Sequence, residues 1–345
     1  MLKPVFTITN ELLNSIAQIE AAKQIIENAP LIPSWERRFQ QEARERTVYF
    51  STKIEGNKLD FDETKKVMKG EEVKTFRRRD IVEVANYREV IAYIDKLKNK
   101  DINKELVLSV HAKVMKRILP TSELGKFRTC GEALINSETY EVVFEPVGQE
   151  FIDGEMENLF GWLESESGAE VHPIVRAGII QYEISRIHPF TDGNGRTGRI
   201  LATYSLYADG YDIKRFFSLE EYYDQNLENY YHALESVEEN DDDLTHWLEF
   251  FAKGLSIELQ RIKDKVLNLS TDSRRRKSFG QVALNERQIK IIDFILQNGK
   301  IKNKDWQKMF RDISDDSILR DLKDLIRKGV VMKKGRTKAA AYVLK

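Results

Sequence analysis

Apolar residues recur at helical spacing in several stretches of this 345-residue chain. Residues 35–50 combine many charges with apolar residues at such spacing, which predicts a helix that Gly56 ends. Another helix is predicted to end at His188, because Pro189 disfavours helical backbone at the residue before it. Apolar side chains within residues 244–251 also follow helical spacing, directly after three aspartates that can cap a helix. Helices therefore dominate the clear patterns.

The C-terminal part of the chain has a separate pattern. Helical spacing is found in residues 286–297, 302–310 and 314–328. Two short β-favouring runs, residues 330–332 and 341–344, then flank a turn at Gly335. Three helices followed by a β-hairpin predict a winged helix-turn-helix domain.

The charges of this C-terminal domain give opposing indications about DNA. Its predicted wing carries basic residues that suit phosphate contacts, namely Lys333, Lys334, Arg336 and Lys338. The third helix, however, begins with Asp315 and Asp316, which would repel DNA at the end that usually faces the bases. DNA binding and protein docking therefore both stay open.

The densest group of chemically useful side chains is the signature segment, residues 188–199, with sequence HPFTDGNGRTGR. The imidazole of His188 titrates near neutrality and suits a general base. Asp192 is a hard oxygen ligand that suits Mg²⁺. The segment does not fit a calcium loop starting at Asp192, since Thr197 occupies the glycine position and Thr203 the required glutamate position.

The rest of the signature segment suits an anion. Gly193 and Gly195 flank Asn194, and glycines let successive N–H groups point into one concavity. A helix that begins near Gly195 would add its N-terminus to that concavity. Arg196 and Arg199 are three residues apart, so they share a helix face, and their guanidinium groups suit phosphate. The pattern predicts a site that binds a nucleoside triphosphate beside a base that activates a hydroxyl.

Residues 188–199 resemble the signature of the Fic family, His-Pro-Phe-x-Asp/Glu-Gly-Asn-Gly-Arg-x-x-Arg, at every specified position. Residues 125–128 and 172–177 are similar to the family as well, and the resemblance covers roughly residues 1–255. It implies a mainly α fold, with a Fic-type helical core and a β-hairpin flap. It also implies transfer of AMP from ATP to a Ser, Thr or Tyr hydroxyl of a target protein, or of the enzyme itself, with pyrophosphate leaving.

The resemblance assigns roles to individual residues. His188 would take the hydroxyl proton, and Asp192 would bind Mg²⁺. Tyr231 is the candidate for stacking on the base. Val142 and Val143, in the β-favouring residues 139–144, would dock the target by strand pairing, although a plain surface hairpin is the alternative. The phosphates of ATP would contact Gly193, Asn194, Gly195, Arg196, Thr197, Gly198 and Arg199.

A second informative stretch is the upstream segment, residues 51–57, with sequence STKIEGN. Ser51 and Glu55 are four residues apart and share a helix face. Glu55 falls in the last turn, where the helix dipole disfavours a carboxylate and an external cation would help. The segment resembles the Fic inhibitory motif, Ser/Thr-x-x-x-Glu-Gly/Asn. That resemblance implies that Glu55 pairs with Arg199 and withholds it from the γ-phosphate, or else that Glu55 positions a water to remove AMP.

Composition narrows the remaining classes. The net charge of −1 gives no overall attraction to nucleic acid or membranes. Cys130 is the one cysteine, which excludes an intramolecular disulfide and favours a cytoplasmic location. We expect no membrane association, since the sequence has no apolar stretch of transmembrane length and no signal peptide. Histidine and cysteine show no zinc spacing.

Four regions follow from these patterns: an N-terminal helical region at 1–95 with the inhibitory helix at about 35–56, a Fic core at 96–255, a helical extension or linker at 256–283, and the winged helix-turn-helix at 284–345. We expect an auto-inhibited protein adenylyltransferase. The alternatives are an enzyme of this fold that removes AMP or uses another phosphate donor, and a DNA-binding regulator with a weak Fic core. The intact signature argues against the regulator, and a homodimer stays open.

Overall fold

The computed structural model divides the chain into two units, Met1–Leu267 and Asn268–Lys345. It describes the backbone of residues 2–29, 31, 33–75, 77–97, 101–131, 133–135, 142–278, 284–310, 313–335 and 340–344. Helices make up most of these residues, which confirms the prediction of a mainly α fold. None of the helices in this described part is long and apolar enough to cross a membrane.

The first unit is built from helices that share one core. In chain order they are α1 (Asn10–Asn28), α2 (Pro33–Ile54), α3 (Phe61–Lys69), α4 (Arg78–Ile94), α5 (Lys104–Val114), α6 (Ile152–Glu164), α7 (Glu166–Glu170), α8 (Pro173–Ile187), α9 (Asn194–Ala208), α10 (Glu220–Gln225), α11 (Leu227–Glu239) and α12 (Thr245–Ser278), whose residues after Leu267 belong to the second unit. Short 3₁₀ turns occur at Gln149–Phe151 and Ile213–Arg215.

Helices α8 and α9 form the centre of this unit. Most of α8 is buried, as expected for a helix that is apolar nearly all round. Gly198 of α9 faces α8, and a Cβ built on it would stand in ordinary van der Waals contact, 3.4 Å from the carbonyl oxygen of Gln181. On the other side, the indole nitrogen of Trp247 in α12 donates a 2.8 Å hydrogen bond to the carbonyl oxygen of Gly178.

Helix α2 ends in a defined set of backbone hydrogen bonds. The N–H of Gly56 donates to the carbonyl of Lys53 at 2.9 Å, and the N–H of Asn57 donates to that of Thr52 at 3.1 Å. Gly56 has φ +90°, a left-handed conformation that glycine adopts without strain. This pattern is a Schellman motif, which fixes Glu55 as the last residue before the left-handed turn.

Helix α8 ends at His188, as predicted from Pro189, the residue that follows it. His188 itself has φ 48°, a left-handed conformation, and its N–H donates to the carbonyl of Ile184. A short loop then leads to Asn194, the first residue of α9. The two central helices thereby present the loop and the start of α9 at one end of the core.

Two short strands accompany this end of the first unit. Strand β1 (Leu134–Ile135) pairs antiparallel with β2 (Val142–Phe144), with a register irregularity. Val142 and Val143 therefore lie in a strand, as predicted. Residues 136–141, which include part of the predicted strand, lie outside the described residues.

Helix α12 covers much of the predicted extension or linker. It begins at Thr245, whose N–H donates a 2.8 Å hydrogen bond to Oδ1 of Asp243, two residues before the helix. The helix continues as far as Ser278, so residues 256–278 are helical.

The second unit contains α13 (Glu286–Asn298), α14 (Asn303–Met309), α15 (Asp315–Arg327), and a hairpin of β3 (Val331–Lys334) and β4 (Ala341–Leu344). The strands are antiparallel, with Val331 opposite Leu344. Apolar side chains of all five elements form its core, among them Ile291, Trp306, Leu322, Val331 and Tyr342. Arg336 and Lys338 of the predicted wing lie outside the described residues.

Candidate active site

The loop between α8 and α9 is closed by the side chain of Asn194. Its Oδ1 accepts a 2.9 Å hydrogen bond from the N–H of Phe190, and its Nδ2 donates to the carbonyl of Phe190 at 2.6 Å. Phe190 is fully buried and anchors the loop to the core. The predicted phosphate-binding residue Asn194 therefore uses its side chain to shape the loop.

A histidine that the sequence did not indicate supports the same loop. The ring of His111, in α5, stacks on the ring of Phe190 with centroids 3.7 Å apart and planes 4° apart. Its Nδ1 accepts from the N–H of Gly125 at 3.1 Å, so its Nε2 carries the proton and donates to the carbonyl of Asp192 at 3.0 Å. Burial lowers the pKa of His111 to about 4, so the ring is neutral.

The predicted base, His188, is oriented by its own helix. Its Nδ1 lies 3.3 Å from the carbonyl oxygen of Ser185, and the N–H···O arrangement leaves Nε2 as the acceptor nitrogen. Burial lowers the pKa of His188, and the charge of Arg128 lowers it further. The neutral imidazole can therefore accept a proton at neutral pH. The ring of Phe144 in β2 lies edge-on to it, with centroids 6.1 Å apart.

Arg128 connects His188 to both ends of the hairpin. Its side-chain Nε donates to the carbonyl of His188 at 2.8 Å, and its backbone N–H donates to the carbonyl of Pro189 at 2.8 Å. Its Nη1 donates to the carbonyl of Cys130 at 2.8 Å, before β1, and its Nη2 donates to that of Val147, after β2. The side chain is buried, so these bonds are shielded from water.

The structure brings the upstream segment into contact with Arg199. The Nη2 of Arg199 donates to Glu55 Oε1 at 2.8 Å and to the carbonyl of Ser51 at 3.0 Å. Its Nε donates to Ser51 Oγ at 3.0 Å. Arg199 and Ser51 are both buried. Burial by itself would raise the pKa of Glu55, but the charges of Arg199 and Arg196 outweigh it and lower that pKa.

The Glu55 carboxylate lies against the first turn of α9. A Cβ built on Gly195 would stand 2.5 Å from Glu55 Oε1 and 3.1 Å from Arg199 Nη1. The first N–H groups of a helix have no partner inside it, and together with the helix dipole they attract an anion. Glu55 therefore places a negative charge where the sequence predicts phosphate.

Arg196 has donors that make no hydrogen bond to a described residue. It is 2% exposed, and its Nη2 donates to Asp192 Oδ1 at 2.8 Å. Its Nη1 lies 3.5 Å from Glu83 Oε1, but within the described residues neither Nη1 nor Nε makes a hydrogen bond. The buried hydroxyl of Thr197 likewise makes no hydrogen bond within the described residues. Buried donors without partners at a helix start indicate a binding site for an anionic ligand.

Asp192, the predicted Mg²⁺ ligand, fits a metal that arrives with phosphate. In the part of the chain that the structure describes, no three His, Cys, Asp or Glu side chains are grouped closely enough to hold a metal ion. Mg²⁺ at phosphate sites is commonly held by one or two carboxylates together with phosphate oxygens and waters. Asp192 has a 31% exposed side chain and can provide one such ligand.

Tyr231, the candidate for stacking on a base, has a 44% exposed ring. Its neighbour Tyr230 is buried and stacks on Tyr223, with centroids 4.6 Å apart. Burial raises the pKa of Tyr231 to about 12, and the charge of Glu55 contributes to the rise. Tyr231 is thus partly exposed and feels the charge of Glu55, whereas Tyr230 belongs to the core.

Comparison with known proteins identifies one family. A sequence model of the Fic/DOC family matches residues 101–206. The protein adenylyltransferase fic-1 of Caenorhabditis elegans is 29% identical over 182 residues, which is 51% of this chain and 34% of that protein. The protein adenylyltransferase Fic of Drosophila virilis is 28% identical over 224 residues, 63% of this chain and 42% of that protein. This chain thus spans less than half the length of these relatives.

Solved structures share the fold. A Fic family protein from Desulfovibrio desulfuricans G20 superposes with a TM-score of 0.72 and 24% identity, covering 100% of this chain and 98% of that one. Fic-1 of C. elegans (residues 134–508) gives a TM-score of 0.61 at 24% identity, covering 75% of this chain and 74% of that one. The signature in residues 188–199 lies inside the region that the family model matches, so residues 101–206 form a Fic/DOC domain, and the chain shares the fold of these Fic structures.

Proposed function

We propose that this chain is a protein adenylyltransferase that its own Glu55 holds in an inhibited state. It transfers AMP from ATP to a hydroxyl side chain of a target protein or of itself. The observation that carries this proposal is the contact of Arg199 with Ser51 and Glu55 at the start of α9. The names of the relatives from C. elegans and Drosophila support the reaction.

The geometry suits attack of a hydroxyl on the α-phosphorus. His188 Nε2 accepts the hydroxyl proton, the hydroxyl oxygen bonds to phosphorus, and the bond from phosphorus to pyrophosphate breaks. The Arg196 donors that make no hydrogen bond to a described residue, together with the first N–H groups of α9, neutralise phosphate charge. Mg²⁺ bound with ATP would supply further neutralisation, with Asp192 as its protein ligand.

Glu55 opposes this reaction in two ways. Its carboxylate occupies volume beside Gly195 at the anion-binding end of α9. It also engages Arg199, so that residue is unavailable to the γ-phosphate. A phosphate that approaches this position meets a like charge, because the lowered pKa of Glu55 keeps the carboxylate ionised at neutral pH. ATP is therefore kept from the pose that the reaction needs.

Intact mass measurement after incubation with Mg²⁺ and ATP tests the proposal. Glu55→Gly should acquire AMP much faster than the wild type, whereas Glu55→Gly combined with His188→Ala should acquire none. Glu45→Gln is the control, since Glu45 is a carboxylate of α2, the helix that directly precedes Glu55, and it accepts from Gln41. It should behave as the wild type.

Three outcomes contradict the proposal. An equal adduct with and without His188 would remove the role of the base. No gain of AMP in Glu55→Gly, either on itself or on proteins of a cell extract, would remove the inhibitory role of Glu55. A gain in Glu45→Gln as large as that in Glu55→Gly would show that any loss of charge from α2 is sufficient.

Removal of AMP is a second candidate, favoured by one observation. The Glu55 side chain is 25% exposed and its pKa is lowered, so an ionised carboxylate is available to orient and deprotonate a water. Auto-modified Glu55→Gly protein, separated from ATP, provides the substrate. Loss of AMP on addition of wild type, but not on addition of Glu55→Gln, would establish this activity; persistence of AMP with both would dismiss it.

We further propose that residues 284–345 are a winged helix-turn-helix domain. Support comes from the order of α13, α14 and α15 followed by the β3–β4 hairpin. Asp315 accepts hydrogen bonds from Trp306 Nε1 at 3.1 Å and Gln307 Nε2 at 2.8 Å, which ties α15 to α14. Fluorescence anisotropy with random duplex DNA separates its two roles: salt-dependent binding favours DNA, and its absence favours protein docking.

A further inference from the structure

Both carboxylate oxygens of Asp192 are bonded to arginines. Oδ1 accepts from Arg196 Nη2 at 2.8 Å, and Oδ2 accepts from Arg79 Nη2 at 2.7 Å. Arg79 comes from the first turn of α4, far from the signature segment in sequence. A cation that binds Asp192 would add a third positive charge beside this carboxylate, so it competes with the two guanidiniums for it.

The two arginines differ in how easily they can leave. The Arg196 side chain is 3% exposed and is enclosed at the start of α9. The Arg79 side chain is 61% exposed. Its Nε also donates to Glu83 Oε1 at 2.9 Å, so Arg79 stays paired on α4 when its Nη2 releases Asp192. Arg79 is therefore the group that yields.

We propose that Arg79 is a positioning residue that competes with the divalent cation of the nucleotide complex for Asp192. Because Arg79 is paired with Asp192, the metal increases the affinity for ATP less than it would without Arg79. The proposal rests on the proposed function, since it requires ATP and its metal at the signature segment. It is distinct from the action of Glu55, which engages Arg199.

The surroundings allow Arg79 to be replaced without leaving a lone buried charge. Glu83 is 6% exposed, and its Oε2 accepts a 2.9 Å hydrogen bond from Asn57 Nδ2. Its Oε1 lies 3.5 Å from Arg196 Nη1. Loss of Arg79 therefore leaves Glu83 with an amide donor and a guanidinium. Arg78, the preceding residue, is exposed and serves as a matched control for the loss of one positive charge.

Calorimetry on the full chain tests the competition without relying on activity. The background is Glu55→Gly with His188→Ala, which frees Arg199 and prevents turnover. The dissociation constant of ATP is measured in EDTA and in excess Mg²⁺. The constant in EDTA divided by the constant in Mg²⁺ gives the factor by which the metal tightens ATP binding. Arg79→Gln should raise this ratio about two- to fivefold over Arg78→Gln, the range for a partly exposed ion pair. Arg79→Lys, which cannot bridge Glu83 and Asp192 as a fork can, should raise it less.

The other outcomes overturn the inference. Equal ratios for Arg79→Gln and Arg78→Gln would show that Arg79 does not compete for Asp192. A lower ratio for Arg79→Gln would show that Arg79 helps to bind the metal–nucleotide complex. Absence of ATP binding to every variant, in EDTA and in Mg²⁺ alike, would instead overturn the proposed function itself. Thermal unfolding of each variant verifies that the fold is retained.

Discussion

Glu55 and Gly195 are in direct contact at the start of α9, so close that a Cβ on Gly195 would stand 2.5 Å from Glu55 Oε1. That distance is shorter than any normal contact between a carbon and an oxygen. The Glu55 carboxylate therefore occupies the space that a side chain at position 195 would need. It leaves room for one anion at a time beside Arg199.

Gly195→Ala should loosen the contact of Glu55 with Arg199. The added methyl group pushes the carboxylate aside, at a cost of about 1–3 kcal/mol in the free energy of unfolding. The cost should be smaller when Glu55 is already glycine, because the methyl group then has space. Unfolding of the four proteins of this double-mutant cycle measures the difference. Equal costs in both backgrounds would contradict the contact.

Ser51→Ala should partly release the inhibition. The Nε of Arg199 loses its acceptor, while its Nη2 keeps Glu55 and the carbonyl of Ser51. A buried donor without a partner costs about 1–3 kcal/mol. We expect a lower melting temperature and an AMP transfer rate between those of wild type and Glu55→Gly. Thr52→Ala is the control, since Thr52 bonds within its own helix; an equal gain there would count against Ser51.

The transfer rate of Glu55→Gly should stay constant down to a pH below the usual imidazole pKa of about 6.5. The base must be neutral, and burial together with Arg128 lowers the pKa of His188. Glu55 opposes that shift, so its removal lowers this pKa further. A profile of kcat/KM against pH measures the midpoint of the acid limb. A midpoint at or above the ordinary value would refute the assigned environment of His188.

His111 should make the protein less stable in acid. The unfolded chain binds a proton on this ring near pH 6.5, and the folded chain only near pH 4, so lowering the pH through this window favours unfolding. The full effect is about 3 kcal/mol. His111→Gln should be less stable at pH 7 and should lose part of this pH dependence. Urea unfolding between pH 7 and pH 4 measures both, and parallel curves would contradict the prediction.

Local sequence rules predicted the backbone around the site. Pro189 indicated the end of α8 at His188, and Gly56 indicated the left-handed turn after α2. Each depends on one residue and its immediate neighbours, so a single sequence is sufficient. The contact of Glu55 with Arg199 was predicted by family resemblance and by the shared face of Ser51 and Glu55. Spacing alone could not have paired two segments so far apart.

The supporting residues could not be predicted in this way. His111 resembles any histidine of an amphipathic helix, and its role arises from the stack on Phe190. Arg79 and Glu83 are an ordinary i, i+4 pair of α4, and nothing local indicates that Arg79 reaches Asp192. Asn194 was predicted as part of the N–H cradle for phosphate, but nothing local indicated that its side chain bonds to the backbone of Phe190. Such roles come from the tertiary packing.

In the inhibition proposed for Glu55, the Schellman motif at the end of α2 makes the reaction sensitive to a helix terminus. Two backbone hydrogen bonds, from Gly56 to Lys53 and from Asn57 to Thr52, set the position of the Glu55 carboxylate. Fraying of a single turn would withdraw that carboxylate and leave the signature loop unchanged. A binding partner that captures residues 55–60 in an extended form would therefore act as an activator, and the stability of one helical turn would determine how strong such a partner must be.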